Sequence, residues 1–277
     1  MLFGVAPIVW SLIMSLQRNN LFSSGTPFVG LANYRQMLHD PVVTQAIEHT
    51  MVYTALFVPG TMIVGLVLAV AMNRQIRFIS VYRTAAYATM AISTISEALV
   101  FIWLFDPSYG IVNYLFHLVG IPQQQFLSST SEALYVIVVM TIWGWTGFAV
   151  VIYLAALQGV PKGLLEAAAI DGASRWTTFR RITLPLLSPA SLFLLVWLTI
   201  NALQLFDEVY LSTAGGPLNS TTVLVYYLYE QAFGTTAGSV PGNFGYASAI
   251  AYFLFVIILV VTAVQFRVGR RLVHYRS

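Results

Sequence analysis

The sequence predicts an all-α, polytopic membrane protein of six transmembrane helices, and three observations carry that expectation. First, 58% of the 277 residues are hydrophobic and only 8% are charged, against roughly 25% charged in soluble domains; mean hydropathy is +0.78. Second, five apolar windows, residues 50–72, 84–105, 133–157, 190–213 and 246–266, each reach the roughly 20 residues needed to cross about 30 Å of hydrocarbon. Third, the basic residues segregate. Of the 13 Lys and Arg, all but Arg18 and Arg35 fall in one alternate set of loops, from Arg74 to Arg276. The positive-inside bias makes that richer set cytoplasmic, and six spans then put both termini in the cytoplasm. The net charge of +3 therefore reports topology and points to no nucleic acid partner. With no cysteine in the chain, disulfides, thiolate metal sites and cysteine catalysis are excluded.

In chain order, the opening run Leu2–Leu16 is apolar, but 15 residues give only about 22 Å. It is read as the sixth helix (about 1–16) without its start, with a basic, partly apolar segment expected upstream. The alternative, a signal peptide, lacks a basic leader and a small-x-small cleavage site before Gln17-Arg18-Asn19-Asn20. Turn residues mark the outer loops at Ser23 to Pro27, Asp106 to Gly110, Ala214 to Pro217 and Gly238 to Gly245. Residues 111–119 are too few to span and predict a short helix at the outer interface. No repeat divides the chain, so residues 1–277 are expected to form a single membrane domain.

The long inner loop, 158–189, is unlike a connector. From Glu166 it reads EAAAIDGASRWTTFRRITLPLLSP. Leu164–Ile170 holds strong helix formers, Asp171-Gly172 can turn the chain, and Arg175–Ile182 can form a second short helix before Pro185 ends or bends it. The prediction is a helix-turn-helix across the inner face.

This stretch resembles the EAA loop of binding-protein-dependent ATP-binding-cassette importers: EAA, three residues, G, nine residues, then I-x-L-P. Glu166, Ala167, Ala168, Gly172, Ile182, Leu184 and Pro185 stand at those positions. The resemblance implies a type I importer permease whose loop is a coupling helix, with Glu166, Ala167, Ala168, Asp171 and Gly172 as its contact on an ATPase subunit. A second resemblance covers DEVYLSTAGGPLNSTTVLVYYLYEQAF, 207–233, and the last apolar run from Phe244. These look like the closing third of carbohydrate-type permeases, with a T-x-GGP-x-x-x-T segment. The ending Arg270–Tyr275 is similar to members handling sugars or glycerol phosphate esters. The family normally begins with a basic cytoplasmic tail and a complete first helix, and this chain departs from it there. The implied partners are a second, related permease, two ATPase subunits carrying ATP and Mg, an extracytoplasmic substrate-binding protein and membrane lipid, in a bacterial or archaeal plasma membrane. No cofactor and no metal are expected in this subunit.

Catalytic signatures are missing. The one lysine, Lys162, follows Pro161, so no P-loop is present; no H-E-x-x-H and no G-x-S-x-G occurs. No catalytic residue is therefore assigned. Ionisable and amide groups at bilayer depth are expensive and usually face a bundle interior or a wet cavity. Glu97, about 21 Å in from Arg83, is one candidate for the solute path. Asn201, Gln204 and Glu208, at i, i+3, i+7 with Asp207 at the edge, are others. Trp143, Trp145 and Tyr153 could stack on a sugar ring. All of these serve equally as interhelical contacts, and Gly144 with Gly147 reads as a small-residue contact patch. Two other classes stay open at this point. An ion-coupled secondary transporter would use the span acids, and a membrane scaffold or sensor would use the EAA stretch to dock another protein.

Overall fold

The computed structural model describes residues 2–18, 25–73, 78–234 and 242–272. Its helices are α1 (Leu2–Ser15), α2 (Ala32–His39), α3 (Pro41–Met72), α4 (Ile79–Ala88), α5 (Thr94–Leu104), α6 (Ile111–Leu118), α7 (Ala133–Gln158), α8 (Lys162–Ile170), α9 (Arg175–Thr178), α10 (Leu184–Leu186), α11 (Ser188–Leu203), α12 (Asp207–Ser212), α13 (Leu224–Phe233) and α14 (Phe244–Leu272). Among the described residues there is no strand, only an isolated antiparallel bridge between Gln17 and Phe28. The loop readings within 19–24 and 235–241, Arg74, Arg77 and residues 273–277 lie outside the described residues.

Three helices are long and apolar enough to cross a membrane, α3, α7 and the Phe244–Gly269 part of α14; two bent pairs raise that number to as many as five. The windows 133–157 and 246–266 therefore correspond to α7 and α14, and 111–119 to the short α6. Helix α3 extends the 50–72 window upstream to Pro41. Asp40 explains that start. Its Oδ1 accepts the Val42 N–H at 2.9 Å, and Pro41 sits at the first helical position, where its missing N–H is not needed.

Two windows need correction. The 84–105 span is not continuous: α4 passes through a tight turn at Thr89–Ala91, Ile92 is extended (φ −78°, ψ 131°), and α5 begins at Thr94. Thr89, Ile92, Ser93, Thr94 and Ser96 crowd this point, and β-branched or hydroxylated residues compete with helical bonding there; Thr89 Oγ1 already donates to the Ala86 carbonyl. The 190–213 span ends at Leu203, and a new helix starts at Asp207 after a non-helical Phe206 (φ −145°, ψ −60°). Asp207 and Glu208 occupy the first turn of α12, where the helix dipole favours carboxylates. Asn201, Gln204 and Glu208 thus do not share one continuous helical face.

The chain divides into two compact units. One comprises residues 1–54, 98–137 and 202–260. Its core gathers Met37, Val43, Ala46, Leu203, Leu224, Tyr227, Tyr246, Ile250 and Leu254. Polar anchors organise this core. Asp40 Oδ2 accepts from both Tyr227 (2.6 Å) and Tyr246 (2.7 Å), so the carboxylate that caps α3 also fixes α13 and α14. Thr50 Oγ1 donates to the Ala46 carbonyl and accepts the Leu224 N–H, satisfying an orphan donor at the start of α13.

The other unit comprises residues 55–97, 138–201 and 261–277. Here α7 lies against α3 where a Cβ on Gly60 would meet Ile142, and a Cβ on Gly65 would meet Ala149 at 2.5 Å. It lies against α4 where a Cβ on Gly147 would meet the Ala86 carbonyl oxygen at 2.5 Å. Small residues permit this backbone approach, which supplies dispersion contact where lipid offers no hydrophobic drive. Gln265 Nε2 donates to Thr199 Oγ1 at 2.8 Å, tying α14 to α11.

Candidate functional site

The 158–189 loop has the helix-turn-helix form expected from its sequence. Helix α8 ends on Asp171, and Gly172 takes a left-handed conformation, φ +74°. The Ala173 N–H bonds back to the Ala168 carbonyl (2.9 Å) and the Gly172 N–H to the Ala169 carbonyl (3.1 Å), which closes the helix in a Schellman motif. The glycine of the EAA pattern is therefore the residue that ends α8. Ser174 then caps α9, its Oγ accepting the Thr177 N–H. From Arg175 the chain is helical to Leu186, with a wide turn at Phe179–Thr183 just ahead of Pro185, a residue with no N–H to return to the carbonyl four places back. A 62° bend follows before α11.

Glu166, Ala167, Asp171 and Gly172 are exposed, whereas Ala168 is turned inward. Two large apolar side chains that the sequence reading did not single out stand beside them, Ile170 at 87% exposure and Trp176 at 68%. Trp176 stacks on Phe179, centroids 5.8 Å apart. The result is a capped, exposed double turn with apolar projections.

The solute-path candidates are more scattered. Glu97 is 8% exposed in the first turn of α5, and its carboxylate lies in the niche left by Gly144: a Cβ there would stand 2.5 and 2.6 Å from the two oxygens. Trp145 packs edge-on against Phe57 and Phe148, Trp143 is exposed, and Tyr153 is buried. Asn201 Nδ2 donates to the Trp197 carbonyl in its own helix. Gln204 and Asp207 are exposed and Glu208 is half-buried.

Gly144→Ala is expected to displace the Glu97 carboxylate and destabilise by about 1–3 kcal/mol. In thermal unfolding in detergent, Glu97→Ala should relieve most of that loss in the double variant; strictly additive losses would contradict the niche.

The residues 61–274 match the family described as binding-protein-dependent transport system inner membrane component. The chain belongs to this family. It is a transport permease subunit, a multi-pass membrane component and not the catalyst of its system. Among its relatives, it is 33% identical over 273 residues to the trehalose/maltose transport system permease protein MalF of Thermococcus litoralis, covering 98% of this chain and 89% of that one. It is 34% identical over 270 residues to the sn-glycerol-3-phosphate transport system permease protein UgpA of Brucella abortus, covering 97% and 90%. Its fold is that of a solved chain of a bacterial alginate ABC transporter in complex with alginate pentasaccharide-bound periplasmic protein, with a TM-score of 0.82, 24% identity, and coverage of 97% and 89%.

In this permease the T-x-GGP-x-x-x-T segment is a loop tied by its own threonines. Thr213 and Thr221 join through their hydroxyls at 2.7 Å, Thr221 Oγ1 is 2.8 Å from the Gly216 carbonyl, and Thr222 Oγ1 donates to the Gly215 carbonyl. Gly215 has φ +77°, and a Cβ there would meet Thr222 Oγ1 and Tyr226 Cε1 at 2.7 Å. Tyr226 donates to the Ala214 carbonyl and to Glu230; burial, followed by the neighbouring Glu230 charge, pushes its hydroxyl up to about 12, so it remains a donor at neutral pH. The sequence signal was the motif itself, which marks the segment without revealing that its threonines fold it. Asp40 was missed, although Asp-Pro ahead of an apolar run is a readable cap.

Proposed function

We propose that this chain is one of two transmembrane subunits of an ATP-driven importer for a sugar or oligosaccharide, acting as one domain over residues 1–277. The observation that carries this reading is the exposed EAA loop, with Gly172 ending α8 so that Glu166, Ala167 and Asp171 stand free beside Ile170. Such a rigid projection suits a cleft on an ATPase subunit, which supplies ATP and Mg. In this reading Ala168 fixes the helix to the rest of the loop from its inward side. Both termini are cytoplasmic, and six spans are completed by α1, by the bent α4 and α5 pair, and by α11. An extracytoplasmic binding protein delivers solute to the opposite face, and a related permease forms the other half of the path. Solute passes near Glu97, Trp143, Trp145 and Tyr153, and near Asn201, Gln204, Asp207 and Glu208.

Likeness to a sugar permease supports carbohydrate as the solute, and likeness to a glycerol phosphate permease supports the alternative, a glycerol phosphate ester or related phosphodiester. The test is uptake into vesicles containing the whole transporter. Dependence on internal ATP and on added binding protein, with no response to an uncoupler, is the expected result. Uncoupler-sensitive uptake without ATP would sink this reading in favour of an ion-coupled carrier.

A further inference from the structure

Two contacts set α11 and α14 side by side. Gln265 of α14 donates to Thr199 of α11 at 2.8 Å, and a Cβ on Gly269 would stand 2.5 Å from Leu192 Cδ1. The N-terminal end of α11 therefore lies beside the C-terminal end of α14. Along this pair opens a groove of about 320 Å³, lined by Pro189, Leu192, Phe193, Val196, Trp197 and Phe266. Phe193 and Trp197 stack at 6.1 Å, 18° from parallel, and both lie against Phe148 of α7. These two rings and Phe266 remain exposed.

The groove is apolar along its length and basic at one end. From Pro189 to Trp197 it follows α11 for about 12 Å, and the Trp197 indole N–H is the one side-chain hydrogen-bonding group in the lining. The part of α14 long and apolar enough to cross a membrane stops at Gly269, so the Pro189 end of the groove sits where hydrocarbon gives way to headgroups. Arg267, next to Phe266, is exposed, as are Arg180 and Arg181 on the helical stretch that leads through the 62° bend into α11. Arg270 and Arg271 follow in the sequence, and residues 175–203 and 244–272 contain no acidic residue. Among the described residues no carboxylate, Glu166 and Asp171 at α8 included, pairs with Arg180, Arg181 or Arg267.

These features select among occupants. A hydroxyl-rich solute finds one donor in the lining. A helix of a partner subunit is about 10–12 Å across with its side chains, too wide to lie inside so small a groove, and an apolar one leaves the arginines without counter-charge. A phospholipid with an anionic headgroup matches both parts at once, because its acyl chain fills the apolar length and its phosphate accepts from guanidinium groups at the end.

We propose that the groove between α11 and α14 holds one acyl chain of an anionic phospholipid whose phosphate is bound by Arg267, with Arg180 and Arg181 adding to the positive field at that end. The site is independent of which solute the permease carries.

The experiment strips the complete purified transporter of lipid in detergent and titrates it with phosphatidylglycerol, phosphatidylcholine, diacylglycerol or inorganic phosphate, with bound molecules counted by native mass spectrometry. Phosphatidylglycerol is expected to bind most tightly, and inorganic phosphate neither to bind nor to compete. Arg267→Gln should weaken phosphatidylglycerol about fivefold, the effect of one basic residue beside an anionic headgroup. The same variant should leave phosphatidylcholine binding and the melting temperature of the lipid-free complex unchanged, and Arg267→Lys should keep most of the affinity. Phosphatidylglycerol with a photoreactive acyl chain should label residues 189–197 or the neighbourhood of Phe266, and Phe193→Trp, which narrows the groove from an exposed position, should suppress that label. Equal affinity for phosphatidylglycerol and phosphatidylcholine, or an undiminished preference in Arg267→Gln, would overturn the headgroup assignment. Competition by inorganic phosphate would make the arginines a free-anion site and overturn the proposal. Labelling confined to other parts of the transporter would show that protein covers the groove and would overturn it as well.

Discussion

Replacing Asp40 with alanine is expected to destabilise the permease more than any other single polar substitution described above, by about 3–7 kcal/mol. One carboxylate caps α3 through the Val42 N–H and accepts from Tyr227 and Tyr246. Loss of a cap costs about 1 kcal/mol, and each buried hydroxyl left without its acceptor adds about 1–3 kcal/mol. Tyr246 is 1% exposed and Tyr227 8%, so water cannot readily replace the lost oxygen. Asp40→Asn keeps one acceptor oxygen and should lose less. Adding Tyr227→Phe and Tyr246→Phe to Asp40→Ala should recover part of the loss, because the stranded hydroxyls are then gone. Thermal unfolding of the purified permease in detergent reads all three. An Asp40→Ala melting curve superimposable on the parent would show that the carboxylate joins nothing.

The second large effect concerns transport and should leave insertion intact. Proline cannot adopt the φ of +74° held by Gly172, and it removes the N–H that bonds the Ala169 carbonyl. Gly172→Pro therefore redirects the chain between α8 and α9. A Cβ at this position meets nothing within 4 Å, so the effect is conformational and no packing is disturbed. Uptake and solute-stimulated ATP hydrolysis are expected to fall together by about tenfold or more, with the subunit still present in the membrane fraction. Glu166→Ala should give the same pattern through loss of a contact, without changing the turn. Gly172→Asn should retain more activity than Gly172→Ala, since asparagine reaches the left-handed region more readily. Normal transport by both Gly172→Pro and Glu166→Ala would remove the coupling role from this loop.

Much of this molecule is legible in one dimension. The runs that become α3, α7 and α14 are visible because crossing lipid is a demand on composition over about 20 consecutive residues. The 158–189 loop is legible for a related reason. Helix formers up to Ile170, Gly172 where a positive φ is required and Ser174 as the next cap are local features, and the structure places each bond within a few residues. Hydropathy misleads at 84–105 and 190–213 because the short breaks, at Thr89 to Ser93 and at Gln204 to Phe206, hardly lower the mean apolarity of a long window. The supposed polar face through Asn201, Gln204 and Glu208 fails with that break, since a helical period has meaning only while the helix continues.

Composition and local spacing thus sufficed for the all-α membrane class, the long apolar helices and the helix-turn-helix form of the 158–189 loop, because each depends on neighbours along the chain. Tertiary contact alone decided that Asp40 answers tyrosines 187 and 206 residues away, that Gly144 makes room for the Glu97 carboxylate, and that Phe206 and Tyr210 meet Tyr229 and Phe233. Hydrogen bonds and ring contacts act over a few ångströms in space, and no pattern confined to a helix or a window records which distant residues the fold brings within that reach.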